Sequence, residues 1–182
     1  MNGLQTKTGR TGRDGAADDV REVLDSIRQI VRLLRLSSRE AEREVGLTGA
    51  QLFVLQKLSE AKGVLSVNDL ADRTHTHQSS VSVVAQVLVD KGLIARARAA
   101  DDGRRLELSL TSTAKTLLRK APGAAQDKLI EALERLPAAT RKQLAKGLGR
   151  LVEEAGIGDE EAPMAFEDAP PARRAASSRG RG

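Results

Sequence analysis

The sequence predicts a mainly α-helical chain interrupted by one short β-hairpin, and three observations carry that prediction. Apolar residues recur at three- and four-residue spacing through most of the chain, as the buried stripe of a helix requires. Two helix starts carry capping patterns. Only residues 93–110 alternate with the period of strands, around an Asp-Gly pair suited to a tight turn. Composition agrees: 40% of the 182 residues are hydrophobic, but that share is mostly Leu, Val and Ala, with two Phe and no Trp or Tyr. Such a mixture suits helices packed on helices.

The chain is long enough for one domain with an extension. Cysteine is absent, which excludes disulfides, thiolate metal sites and a cysteine nucleophile together. No apolar run approaches the length of a membrane span, and the N-terminal MNGLQTKTGRTGRDG has no signal-peptide core, so the expected location is the cytoplasm, with no membrane partner. The net charge of +5 points weakly to an anionic partner. Its distribution says more. Residues 46–112 hold eight Lys and Arg against seven Asp and Glu, yet half of those cations sit between residues 93 and 111.

Residues 1–17 offer little to bury and are expected to be disordered. From Asp18, the residues Val20, Val23, Leu24, Ile27, Ile30, Val31 and Leu34 predict a long amphipathic helix ending before Gly46. Thr48 and Gln51 form a capping-box pattern, flanked by Leu47 and Leu52 at the positions of a hydrophobic staple; Ser66, Asp69, Leu65 and Leu70 repeat the device. Two short helices follow, at about 48–60 and 66–73. After "THTH", a third runs from about His77 to Lys91, with Val81, Val84, Val87 and Leu88 on its apolar face and Gly92 at its end. Three short helices in this order suggest a helix-turn-helix. Strands are expected at Leu93 to Arg98 and Leu106 to Leu110. Thr111 can cap the next helix, Pro122 should break it, and Pro137 opens another that stops at Gly156. Residues 157–182, with three prolines and a basic end, are expected to be disordered.

Set against "LTGAQLFVLQKL", "LSVNDLADRT", "SSVSVVAQVLVDKGLIAR" and "DDGRRLELSLT", the chain resembles the MarR family of bacterial transcription regulators over roughly residues 20–155. The resemblance implies a winged helix-turn-helix: a homodimer with intertwined terminal helices, a third short helix that reads the DNA major groove, and a hairpin, the wing, that reaches the adjacent minor groove. It places Gln78, Ser79, Ser80 and Ser82 at the exposed start of the recognition helix. It places Arg104 and Arg105 in the wing, with Asp101 or Asp102 restraining an arginine. The sequence departs from the family pattern at His75, where glycine is frequent, at Thr76, where a small aliphatic is frequent, and at Val83, where a polar residue is common. The recognition helix also has no Lys or Arg before Lys91.

The residue chemistry fits these roles. A slender hairpin carrying guanidinium groups suits a narrow, electronegative minor groove, and a neighbouring aspartate can hold such a group in one orientation. Candidate wing residues are Arg96, Arg98, Asp101, Asp102, Gly103, Arg104 and Arg105. On the recognition helix, Gln78 can bond adenine, while His77, Ser79, Ser80 and Ser82 can meet phosphates or base edges; His77, Ser79 and Ser80 suit helix capping equally well. Arg73 is a candidate phosphate contact or an ordinary solvated charge. His75 and His77 have no acidic cluster at ligand spacing, which disfavours a metal site, and the sequence calls for no cofactor. No nucleophile, base and carboxylate set or phosphate loop suggests an enzyme.

The expected organisation is therefore a disordered segment at 1–17, a dimerisation helix at 18–45, a winged helix-turn-helix at 46–112, dimerisation helices at 113–156 and a disordered tail at 157–182. The expected partners are double-stranded DNA, a second copy of the chain and a small-molecule effector. The expected function is sequence-specific transcriptional regulation, as a repressor on an inverted-repeat operator. Two alternatives stay open: a winged helix that binds protein, and a small-molecule-binding protein with residual DNA affinity.

Overall fold

The computed structural model describes residues 11–61, 63–98, 106–158 and 164. Its elements run α1 (Thr11–Val45), α2 (Gly49–Glu60), β1 (Leu65–Ser66), α3 (Val67–Thr74), α4 (Gln78–Asp90), β2 (Ile94–Arg98), β3 (Leu106–Leu110), α5 (Ser112–Leu118), α6 (Ala125–Arg135) and α7 (Ala138–Glu154). A mainly helical chain with a small antiparallel sheet is what the sequence predicts.

Local signals set most boundaries. The Thr48 hydroxyl accepts from the Gln51 N–H to start α2. At α3 the box is reciprocal: Ser66 Oγ accepts from Asp69 N–H, and the Asp69 carboxylate accepts from Ser66 N–H. Thr111 has two tasks. Its hydroxyl accepts from Ala114 N–H to cap α5 and donates to the Gly92 carbonyl, closing the base of the hairpin. Gly92 itself stands at φ +68, a backbone setting that costs glycine nothing.

Three features differ from expectation. Helix α1 begins at Thr11, seven residues before Asp18. Once a helix is nucleated, each further residue adds a hydrogen bond, and Ala16 and Ala17 favour continuation. The sheet has three strands in the order β1-β3-β2, so Leu65 and Ser66 pair with Leu108 and Glu107 as well as opening α3. In the expected tail, Met164 is 5% exposed and belongs to the hydrophobic core. An unbranched thioether chain fits irregular gaps of this kind.

One core lies between α2, α3, α4 and β3, centred on Leu52, Phe53, Leu55, Leu70, Leu88 and Leu108. The apolar face of α4 is Val81, Val84, Ala85 and Leu88; Val87, expected there, is half-buried at its margin. Helices α1 and α6 pack against α2, whereas none of the 17 residues of α7 is buried. The α6–α7 corner is closed by Arg141, whose Nη1 donates to the carbonyls of Leu133, Glu134 and Leu136 at 3.2–3.3 Å. Among the described residues, no helix is long and apolar enough to cross a membrane.

Candidate nucleic-acid interface

The turn between α3 and α4 is built from Thr74, His75 and Thr76. Buried Thr74 bonds the carbonyls of Leu70 and Ala71 through its hydroxyl, which also lies 2.8 Å from the Thr76 hydroxyl. His75 closes α3 in the left-handed conformation, at φ 51 and ψ 41, and its N–H returns to the last carbonyls of the helix. That is the position where the family pattern favours glycine, and the backbone angle explains the preference. The reversal sends α4 out at an angle to α3, with α4 packed on the core by one face only.

The other face of α4 is open. Gln78, Ser79, Val83, Gln86 and Asp90 are exposed, and Ser80 and Ser82 are half-buried. Gln78, Ser82 and Gln86 follow one another at four-residue steps, so their side chains form a line along the helix. His77 stands at the N-cap with extended backbone, exposed, and makes no side-chain cap bond. Arg73 is exposed in the last turn of α3 and has no ion pair among the described residues.

Beside α4 stands the hairpin. Pairing runs Ile94 with Leu110, Arg96 with Leu108 and Arg98 with Leu106, which puts both arginines on the face of the sheet that carries the leucines. Leu108 is fully buried, while Leu106 is 45% exposed because the ribbon has by then left the body of the protein. Arg96 Nη1 donates to Gln86 Oε1 at 2.7 Å, and Gln86 Nε2 donates to Asp90 at 2.7 Å. The ribbon is thereby tied to α4. Asp101, Asp102, Gly103, Arg104 and Arg105 lie outside the described residues.

The structure thus brings Gln78, Ser79, Ser82, Arg73, Arg96 and Arg98 to exposed or half-exposed positions around the helix-turn-helix and the hairpin. Sequence reasoning missed Gln86. The four-residue interval from Gln78 through Ser82 was the available signal. At the far end of α4, Lys91 Nζ donates to Gln51 Oε1 at 2.7 Å, anchoring the helix to the start of α2.

A helix-turn-helix whose second helix has one free face, with an antiparallel ribbon attached beside it, defines a winged helix-turn-helix protein. The family model described as the MarR family matches residues 45–105. The match falls on the winged-helix region, which is thus similar to that family. The chain is 37% identical over 98 residues to the HTH-type transcriptional repressor MdtR of Bacillus subtilis, covering 54% of this chain and 61% of that protein. It thus spans about three fifths of that relative's length. A Mycobacterium tuberculosis HTH-type transcriptional repressor is 28% identical over 119 residues, 65% of this chain and 85% of that one. A probable transcriptional regulator from Pseudomonas aeruginosa superposes with a TM-score of 0.50 at 29% identity, covering 75% of this chain and 98% of the other. A MarR family transcriptional regulator from Streptomyces coelicolor, solved in complex with DNA, gives a TM-score of 0.53 at 24% identity, covering 79% and 94%.

Proposed function

We propose that this protein is a sequence-specific DNA-binding transcriptional regulator that acts in the cytoplasm as a homodimeric repressor. The observation that carries the reading is the open face of α4, presented by the turn at His75 with a ribbon fastened at its side through Arg96 and Gln86. A face that takes no part in the core, on a helix of the diameter a major groove admits, is suited to reading base edges. The repressor names of the relatives support the same reading.

In this reading Gln78 bonds a base edge, adenine being its usual partner, and His77, Ser79, Ser80 and Ser82 meet phosphates or base edges. Arg73 meets a phosphate of the flanking backbone. Arg98, Arg104 and Arg105 supply the positive charge of the wing, with Asp101 or Asp102 restraining a guanidinium, and Arg96 fixes where the ribbon stands. The absence of Lys and Arg from Gln78–Asp90 makes the wing the principal source of electrostatic attraction.

Dimerisation is supported by apolar side chains that the single chain leaves in solvent, among them Val20, Leu24 and Ile30 on α1 and Leu144, Leu148 and Leu151 on α7. A twofold pair presents two α4 helices to half-sites about 34 Å apart, which calls for an inverted repeat. A small-molecule effector would have an open groove of about 410 Å³ beside α2 and α6, lined by Gln56, Ser59, Glu60, Leu118, Gly123 and Asp127.

Titration against genomic DNA fragments at several salt concentrations tests the reading. The expected result is a small set of inverted-repeat fragments bound well above the rest. Equal affinity for all fragments would remove it.

A further inference from the structure

Helix α6 starts at a place where its own sequence cannot satisfy it. Its N-cap is Ala124, which has no side chain to bond the first N–H groups. Ala124 and Ala125 are 2% and 1% exposed, so water does not reach those groups. Both amides are bonded by side chains from other helices. Ala124 N–H donates to Gln56 Oε1 of α2 at 3.2 Å, and Ala125 N–H donates to Ser37 Oγ of α1 at 3.2 Å.

Gln56 does more than accept. Its Nε2 donates to the Pro122 carbonyl at 2.7 Å, so one side-chain amide holds the turn before α6 by both of its faces. One residue along, Lys57 Nζ reaches Asp127 in the first turn of α6 at 2.6 Å. On α1, the neighbour of Ser37 does the corresponding job for α2: Ser38 Oγ accepts from Gly49 N–H at 3.0 Å. The start of α6 is therefore pinned at a three-way joint, to the winged-helix body through Gln56 and Lys57 and to α1 through Ser37. Past this joint α6 leads into α7, none of whose residues is buried, and Arg141 closes the bend between the two helices.

We propose that Gln56 is a positioning residue that sets the separation of the two DNA-reading units in the dimer, and so the half-site spacing the protein accepts. The inference rests on the function proposed above. If α1, α6 and α7 join the two copies, the angle at which α6 leaves α2 fixes where each α4 stands relative to its twin. A change of one base pair in the spacer moves a half-site by about 3.4 Å and rotates it by about 35°. A joint with two direct side-chain amide bonds resists that displacement; a loosened one yields.

The test uses the full chain and a set of operators, selected by wild-type binding, with spacers shortened or lengthened by one base pair. Wild type is expected to prefer its own spacing at least tenfold. Gln56→Leu should reduce that preference to about threefold or less while leaving unchanged the loss caused by altering a base within one half-site. Ser37→Ala should act in the same direction. Gln56→Glu, which keeps an acceptor for Ala124 N–H but has no donor for Pro122, should fall between. Faster amide hydrogen exchange at Ala124 and Ala125 in free Gln56→Leu protein is expected as well. Full spacing preference, or unaltered exchange at both amides, in Gln56→Leu would overturn the inference while leaving the DNA-binding function in place. A wild type with no preferred sequence would overturn the function and take the inference with it.

Discussion

His75 carries a conformational cost that the sequence alone does not reveal. A branched or long side chain at positive φ is disfavoured by roughly 1 kcal/mol or more, and glycine escapes the penalty. His75→Gly should therefore raise the unfolding free energy by up to about 1 kcal/mol, read as a higher midpoint in denaturant unfolding. Lys57 provides a second residue-scale test. Burial beneath α6 by itself lowers its pKa, but the hydrogen bonds and charges of Asp127 and Glu60 outweigh burial and hold it above the usual 10.5. A folded-state pKa above the unfolded one gives stability that is complete below 10.5 and is lost as pH climbs through the folded value. Unfolding free energy should fall as pH rises above 10.5 in wild type and fall less steeply in Lys57→Met.

At the scale of elements, the reciprocal cap at Ser66 and Asp69 is the firmest local signal in the chain. Ser66→Ala should cost about 1 kcal/mol and lower the thermal midpoint by roughly 2–4 °C, as measured by circular dichroism. Elements whose identity depends on their own residues were legible in the sequence: α2 and α3 from their caps, α4 from its apolar stripe, and the strands from alternation around Asp-Gly. Elements whose identity depends on a neighbour were not. Two residues cannot announce a strand, and β1 exists because β3 offers it a free edge. Ala85 completes the i, i+3, i+4, i+7 stripe of Val81, Val84 and Leu88, so the helical period encodes its place ahead of Val87, although a single methyl is a weak apolar signal. The polar ladder from Arg96 through Gln86 to Asp90 was hidden, since ten residues separate its first two members. The polar residues of α4 that the sequence singled out, Gln78, Ser79, Ser80 and Ser82, lie off its apolar stripe, exposed or half-buried. The candidate residues at 101–105 fall outside the described residues.

At the scale of the whole molecule, the described residues leave large apolar side chains in solvent. Val20 and Ile157 are 59% and 68% exposed, and Leu148 and Leu151 are left open along α7, where no residue is buried. Covering that surface with a second copy is the expected outcome. Sedimentation equilibrium should return a dimer for wild type and a shift toward monomer for Leu148→Glu with Leu151→Glu, accompanied by loss of high-affinity operator binding. Wild type sedimenting as a monomer at micromolar concentration would remove the twofold arrangement. The family resemblance read from the sequence implied pairing through the terminal helices, but nothing in the sequence pointed to the joint at Gln56, which needs α1, α2 and α6 in place at once.

The single guanidinium at the α6–α7 bend gives this arrangement a mechanical side. By gathering three terminal carbonyls of α6, Arg141 fixes the direction in which α7 leaves that helix, and the far end of α7 lies about 25 Å beyond the bend. A tilt of only about 5° at that bend displaces the far end by about 2 Å, a distance that side-chain packing between two molecules registers.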